Sequence, residues 1–98
     1  MKYIKYFESN ITKLDYSNKG LTKLPTLPDT LKILYCGNNQ LTSLPKLPDT
    51  LEYLYCSDNK LTSLPDLPDN LIYLHCYSNQ LPYNNLDEYK EWWSRNKE

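Results

Sequence analysis

The sequence predicts a solenoid of α/β type, mostly β. It has one parallel sheet, a polyproline-like convex side and a helix that caps the C-terminal end. Three observations lead there. A block of 20 residues recurs almost letter for letter: residues 31–50 read LKILYCGNNQLTSLPKLPDT and residues 51–70 read LEYLYCSDNKLTSLPDLPDN. Within each block, Leu at positions 1 and 4 and Cys at position 6 mark a short strand, with positions 4 and 6 pointing one way and 3 and 5 the other. The Leu-Pro-x-Leu-Pro half cannot be a helix interior, because proline lacks an N–H and holds the residue before it in extended geometry. One block cannot bury its own leucines. Stacked blocks can, and their strands then pair in parallel.

Taken in order, residues 1–10 place Ile4 and Phe7 at positions 14 and 17 of the block, where later copies have Leu. They read as an N-terminal half-repeat cap; the alternative is a frayed tail, against which the apolar spacing of Ile4, Phe7 and Ile11 argues. Residues 11–30 form the first full repeat, with Ile11, Leu14 and Tyr16 at positions 1, 4 and 6. Residues 31–50 and 51–70 are the regular centre. Pro-Asp-Thr or Pro-Asp-Asn before each next strand (Asp29, Asp49, Asp69) reads as turn chemistry. Residues 71–85 make the fourth repeat, in which Pro82-Tyr83-Asn84-Asn85 replaces the Leu-Pro half. Strands are expected to begin near Ile11, Leu31, Leu51 and Leu71.

From 86 the period changes to that of a helix, expected over 86–97. Asn85 suits the N-cap, and Glu88 three residues on completes a capping box. Leu86, Tyr89 and Trp93 share one face, with Trp92 at its edge. Asp87 and Glu88 in the first turn and Arg95 and Lys97 in the last suit the helix dipole. Such a helix closes the exposed end of the last coil, as solenoids require; the alternative is a Trp-rich docking helix.

Leu31, Leu34, Cys36, Asn39 and Leu41, with their counterparts twenty and forty residues later, resemble the leucine-rich-repeat pattern LxxLxLxxNxL. More narrowly, they resemble the short 20-residue class with an LPxLPxx back half, found in bacterial effector proteins and in repeat proteins of giant DNA viruses. The resemblance spans residues 11–81. It implies a right-handed coil and a role in protein–protein interaction, and it leaves the partner unnamed. In such repeats the Asn at position 9 satisfies backbone groups in the turn after the strand, and stacked copies form a ladder. Lys19 departs from that pattern, so the first turn is expected to be looser and more exposed, relieved by Asn18 or Gly20.

The 98 residues are read as a single domain, with 11 basic against 12 acidic side chains and a net charge of −1. That balance offers no electrostatic case for nucleic acid or an anionic membrane surface as partner. The first eight residues hold no apolar run, no stretch approaches a membrane span, and lipidation signals are missing. Together with three unpaired cysteines, this leads us to expect a cytoplasmic protein, in the host cytoplasm if the source is a virus or an effector-secreting bacterium.

Candidate chemistry is sparse. Cys36, Cys56 and Cys76 recur at position 6 and face inward in a line, whereas zinc needs ligands converging on one point, so no metal or other cofactor is expected. They read as a column of small buried hydrophobes. His75 is the sole histidine, and an enzyme would need a nucleophile or acid beside it; Ser57 on the preceding strand is the nearest candidate. Catalysis through His75 is therefore a remote alternative. What remains is the outward face of the sheet. Position 3 carries Ile33, Tyr53 and Tyr73, position 5 carries Tyr35, Tyr55 and His75, and Tyr77 lies at the margin. Tyrosine is a good strand former, and cross-strand aromatic pairs stabilise a sheet. Yet an exposed contiguous aromatic patch on a concave face also marks an interaction site, for a protein partner or for a second copy in a homodimer.

Overall fold

A computed structural model describes residues 11–96 and places four strands in one sheet in the order β1-β2-β3-β4: β1 Lys13–Asp15, β2 Ile33–Tyr35, β3 Tyr53–Tyr55 and β4 Tyr73–His75. Every neighbouring pair is parallel and in phase with the 20-residue period, so Leu14, Leu34, Leu54 and Leu74 lie side by side. The strands start two residues later than Ile11, Leu31, Leu51 and Leu71. The cause is visible in the preceding turn. The N–H of Leu31, Leu51 and Leu71 each donates to the carbonyl of the proline three residues earlier (Pro28, Pro48, Pro68), at 3.2, 3.1 and 3.1 Å. Position 1 therefore closes the Pro-Asp-Thr or Pro-Asp-Asn turn, and the ladder begins beyond it.

Leu31, Leu34, Cys36, Leu41, Leu51, Leu54, Cys56, Leu61 and Cys76 are wholly shielded from solvent, and they form one continuous column through the stack. The Leu-Pro segments return outside this column without helix. Their leucines complete the core, with Leu24, Leu27, Leu44 and Leu47 buried. Polar side chains at position 20 join successive coils from outside. Thr50 Oγ1 donates to the Leu31 carbonyl at 2.7 Å, and Asn70 Nδ2 donates to the Asp49 carbonyl at 2.9 Å.

Position 9 works across coils. Asn39 Oδ1 accepts from the N–H of Lys19 and Leu21 in the first coil (3.0 and 2.9 Å), while its amide donates to the carbonyls of Tyr16, Cys36 and Gly37. Asn59 and Asn79 repeat this, accepting from Leu41 and Leu61 and donating to the carbonyls of Cys36 and Cys56 in the coil before, as well as to their own turns. This corrects the expectation for Lys19. Its turn is exposed, yet it is tied down from the second coil by Asn39, because each Asn serves the turn of its predecessor. Position 8 adds a feature that the repeat pattern does not announce. Asn18, Asn38, Asp58 and Ser78 all adopt left-handed backbone, with φ of 59, 56, 59 and 56°. Asn and Asp tolerate that region best among residues with a side chain.

The fifth element is α1, Leu86–Asn96. Asn85 Oδ1 accepts from the Glu88 N–H at 2.9 Å, the expected N-cap bond, but the Glu88 carboxylate reaches one residue farther than a capping box, to the Asn84 N–H. Residues 83–85 return to the outer edge of β4. There His75 and Asn85 form an antiparallel bridge, and the Cys76 N–H donates to the Asn84 carbonyl at 3.0 Å. The helix face also differs from expectation. Leu86, Tyr89 and Trp92 pack on the core, whereas Trp93 is 50% exposed. The reason is Tyr83, only 4% exposed, whose ring lies 5.0 Å from Tyr89 and 5.3 Å from Trp92 in edge-on contacts. Burying that ring under the helix rotates the apolar face toward Trp92. The half-repeat expected over 1–10, and Lys97 in the last helical turn, lie outside the described residues.

Candidate functional site

Strand alternation sends Leu34, Leu54 and Leu74 inward, so their neighbours in β2, β3 and β4 stand on the opposite face of the sheet. Parallel, in-phase pairing then brings like positions together. Tyr35 and Tyr55 stack with ring centroids 4.8 Å apart and planes 21° from parallel, and Tyr55 and His75 stack at 4.8 Å and 6°. Beside this row Tyr53 and Tyr73 stack at 5.1 Å and 14°. His75 joins the rows, lying 6.3 Å from Tyr73 and 5.8 Å from a tilted Tyr77. Ile33 pairs with Tyr53 in register and extends the second row toward β1.

The row ends at β1 because position 5 there is Asp15, whose carboxylate accepts from the Ser17 N–H at 2.9 Å; that bond holds its pKa below the ordinary value. The Lys13 ammonium lies 5.5 Å from the centroid of the Tyr35 ring and closes the row with a cation–π contact. Exposure grows toward the other end: Ile33, Tyr35, Tyr53, Tyr55 and His75 are half-buried against one another, while Tyr73 and Tyr77 are 50% and 46% exposed. Desolvation, and after it the neighbouring phenols of Tyr35, Tyr53 and Tyr73, push the Tyr55 phenol above its ordinary pKa. All seven residues singled out from the sequence therefore meet on one face.

The arrangement offers little to general acid–base chemistry. His75 is flanked by rings, and Ser57 is engaged: its Oγ accepts from the Tyr77 N–H at 3.0 Å. The three cysteines are free thiols buried in a line, with no group of three metal-ligating side chains among the described residues. Burial pushes the Cys36 and Cys76 thiols to about 12 and Cys56 well above its ordinary value. Thiols held protonated in this way are poor nucleophiles and poor ligands.

A family model described as Leucine Rich Repeat matches residues 50–71. Among solved structures, YopM from Yersinia enterocolitica WA-314 superposes with a TM-score of 0.66 at 34% identity, covering 74% of this chain and 21% of its own. This is a leucine-rich-repeat solenoid. It resembles the repeat proteins of bacterial effectors, as the Leu, Asn and Leu-Pro pattern implies. The chain spans about one fifth of the length of YopM. No curated protein matches it. No helix among the described residues is long and apolar enough to cross a membrane.

Proposed function

We propose that the protein is a non-catalytic interaction module that holds a protein partner on the outward face of its sheet. Ile33, Tyr35, Tyr53, Tyr55, Tyr73, His75 and Tyr77 make the contact surface. One observation carries this reading: a row of stacked rings runs across β2, β3 and β4, with a second stacked pair beside it on β3 and β4, on the face opposite the leucine core. A tyrosine that stacks on both neighbours has few rotamers left to lose, so it offers contact area and a hydroxyl at low entropic cost. The likeness to YopM supports an interaction role at the level of the fold. In the proposed division, coils at 11–30, 31–50, 51–70 and 71–85 present the surface, the helix closes the stack, and the chain works in the cytoplasm.

The test is a double variant, Tyr35→Ala/Tyr55→Ala. Light scattering over a concentration series reads the oligomeric state, and capture on immobilised protein reads the partner. If these tyrosines are hot spots, the complex weakens by ~2 kcal/mol or more. A wild-type dimer that becomes monomeric in the variant identifies the partner as a second copy. A double variant that keeps both its oligomeric state and every captured protein removes this face from consideration.

A further inference from the structure

A second site lies on the other side of the molecule. Where a further coil would stack, α1 crosses the last Leu-Pro segment and leaves an open cleft of about 480 Å³. Its floor is apolar, from Leu67, Pro68, Leu71 and Leu86. One wall is aromatic: Tyr89 and Trp93 line it, with centroids 6.4 Å apart and planes 9° from parallel. Trp93 is the largest side chain on the helix that the core leaves half exposed, and this cleft is where it faces. The rim carries two carboxylates, Asp66 and Asp69, and one ammonium, Lys90. Among the described residues the single ion pair is Arg95–Glu91, so Lys90 makes no ion pair with either aspartate. The corresponding groove between the first two Leu-Pro segments has about 180 Å³ and no aromatic side chain in its lining. The aromatic wall is thus a local addition made by the helix.

We infer that this cleft binds an arginine side chain presented by a basic peptide segment of a partner. A guanidinium is planar and weakly hydrated, so it lies flat on an indole face while its N–H fork meets carboxylates; an ammonium does the second far better than the first. The cleft supplies both, with Trp93 as the platform and Asp66 and Asp69 as acceptors. The apolar floor accommodates the methylene stem. The local balance of two carboxylates to one ammonium favours a cation and disfavours an acidic segment. Burial, and after it the nearby Asp66 carboxylate, hold the Tyr89 phenol above its ordinary pKa, which places that negative charge beside the aromatic wall.

The test uses the full chain and the peptide acetyl-Gly-Arg-Gly-amide, followed by the indole N–H resonances in NMR. Trp93→Phe assigns the signal. The arginine peptide is expected to shift the Trp93 resonance in a saturable manner, and added salt weakens the effect. The citrulline peptide, of the same shape without the charge, needs at least about tenfold higher concentration, as does the arginine peptide against Asp66→Asn/Asp69→Asn. Both aspartates are exposed, so the double variant keeps the wild-type melting temperature. Tyr35→Ala/Tyr55→Ala binds the peptide unchanged, which separates this site from the tyrosine face. Equal binding of arginine and citrulline peptides, binding indifferent to the two aspartates, or no shift at millimolar peptide overturns the inference. A dimer in which Trp93 is covered by a second copy overturns it as well.

Discussion

At the scale of single residues, stability rests on groups that have no freedom to change. Cys56 lies between Cys36 and Cys76 in the core column and is fully shielded. Cys56→Ser puts a hydroxyl into that apolar line and is expected to cost ~1–3 kcal/mol if the hydroxyl finds no partner, measured as a loss in urea midpoint at constant slope. The thiols also set an alkaline limit. Their folded pKa values lie above the unfolded ones, so on raising pH the unfolded chain loses its thiol protons first. The contribution is complete below about 9 and is lost progressively as pH rises toward 12. A Cys36→Ala/Cys56→Ala variant should show a shallower fall in stability over that window than the wild type. An identical slope would mean that the thiols ionise freely in the fold. Asn59 is the other fixed point. Asn59→Ala leaves the Leu41 N–H without a partner, at about 1–3 kcal/mol for a donor left buried and unpaired, and takes one of two donors from the Cys36 and Cys56 carbonyls, which keep Asn39 and Asn79. Ser78 behaves oppositely. Its φ of 56° suits glycine better than serine, and Ser78→Gly should raise the urea midpoint by an amount worth about 0.5–1 kcal/mol.

At the scale of elements, the helix carries the sharpest test. Trp92 packs on the core beside Tyr83, whereas Trp93 is half exposed in the cleft. Trp92→Asp should therefore lower the melting temperature by several degrees, and Trp93→Asp should do so much less. The reverse order would restore the face read from helical spacing. That spacing failed here for a physical reason. A periodicity argument treats the helix alone, while the direction of its buried face is set by Tyr83, which lies in the irregular turn before it. The other departures have the same origin. Leu31, Leu51 and Leu71 are in the apolar phase of a strand, but their N–H groups are taken by the proline turn, so pairing starts at Ile33, Tyr53 and Tyr73. Position 9 was legible as a ladder of Asn, but its reach into the preceding coil was not, because a pattern within one block carries no direction across blocks. The tyrosine rows were legible because they depend on strand alternation and a fixed period alone. Whether a phenol row is a docking surface is a property of what meets it, and no spacing encodes that.

At the scale of the molecule, the stack is one-dimensional: among the described residues each strand meets only the next, and the helix meets β4, so stability should vary along the axis. The centre and the first coil differ in burial. Leu31, Leu34, Leu51 and Leu54 are fully shielded, while Ile11, Leu14, Tyr16 and Leu21 are only partly so. The amides of Cys36 and Cys56 donate to Tyr55 and His75 of the next coil, and Leu41 N–H is held by Asn59 from the coil beyond. Native-state hydrogen exchange is expected to be slowest at Cys36, Leu41 and Cys56, with protection approaching the global unfolding free energy. Tyr16 and Asn18 should exchange through local opening of the first coil. Leu→Ala substitutions sharpen the contrast. Leu54→Ala removes a fully buried side chain between two packed coils and should lower global stability by roughly 2–5 kcal/mol, reducing the protection of every coil together. Leu14→Ala should cost less and should speed exchange at Tyr16 and Asn18 while leaving Cys56 near its wild-type rate. Uniform protection from β1 to β4, with both substitutions slowing or speeding all amides equally, would show that the four coils unfold as one cooperative block, with no weak end.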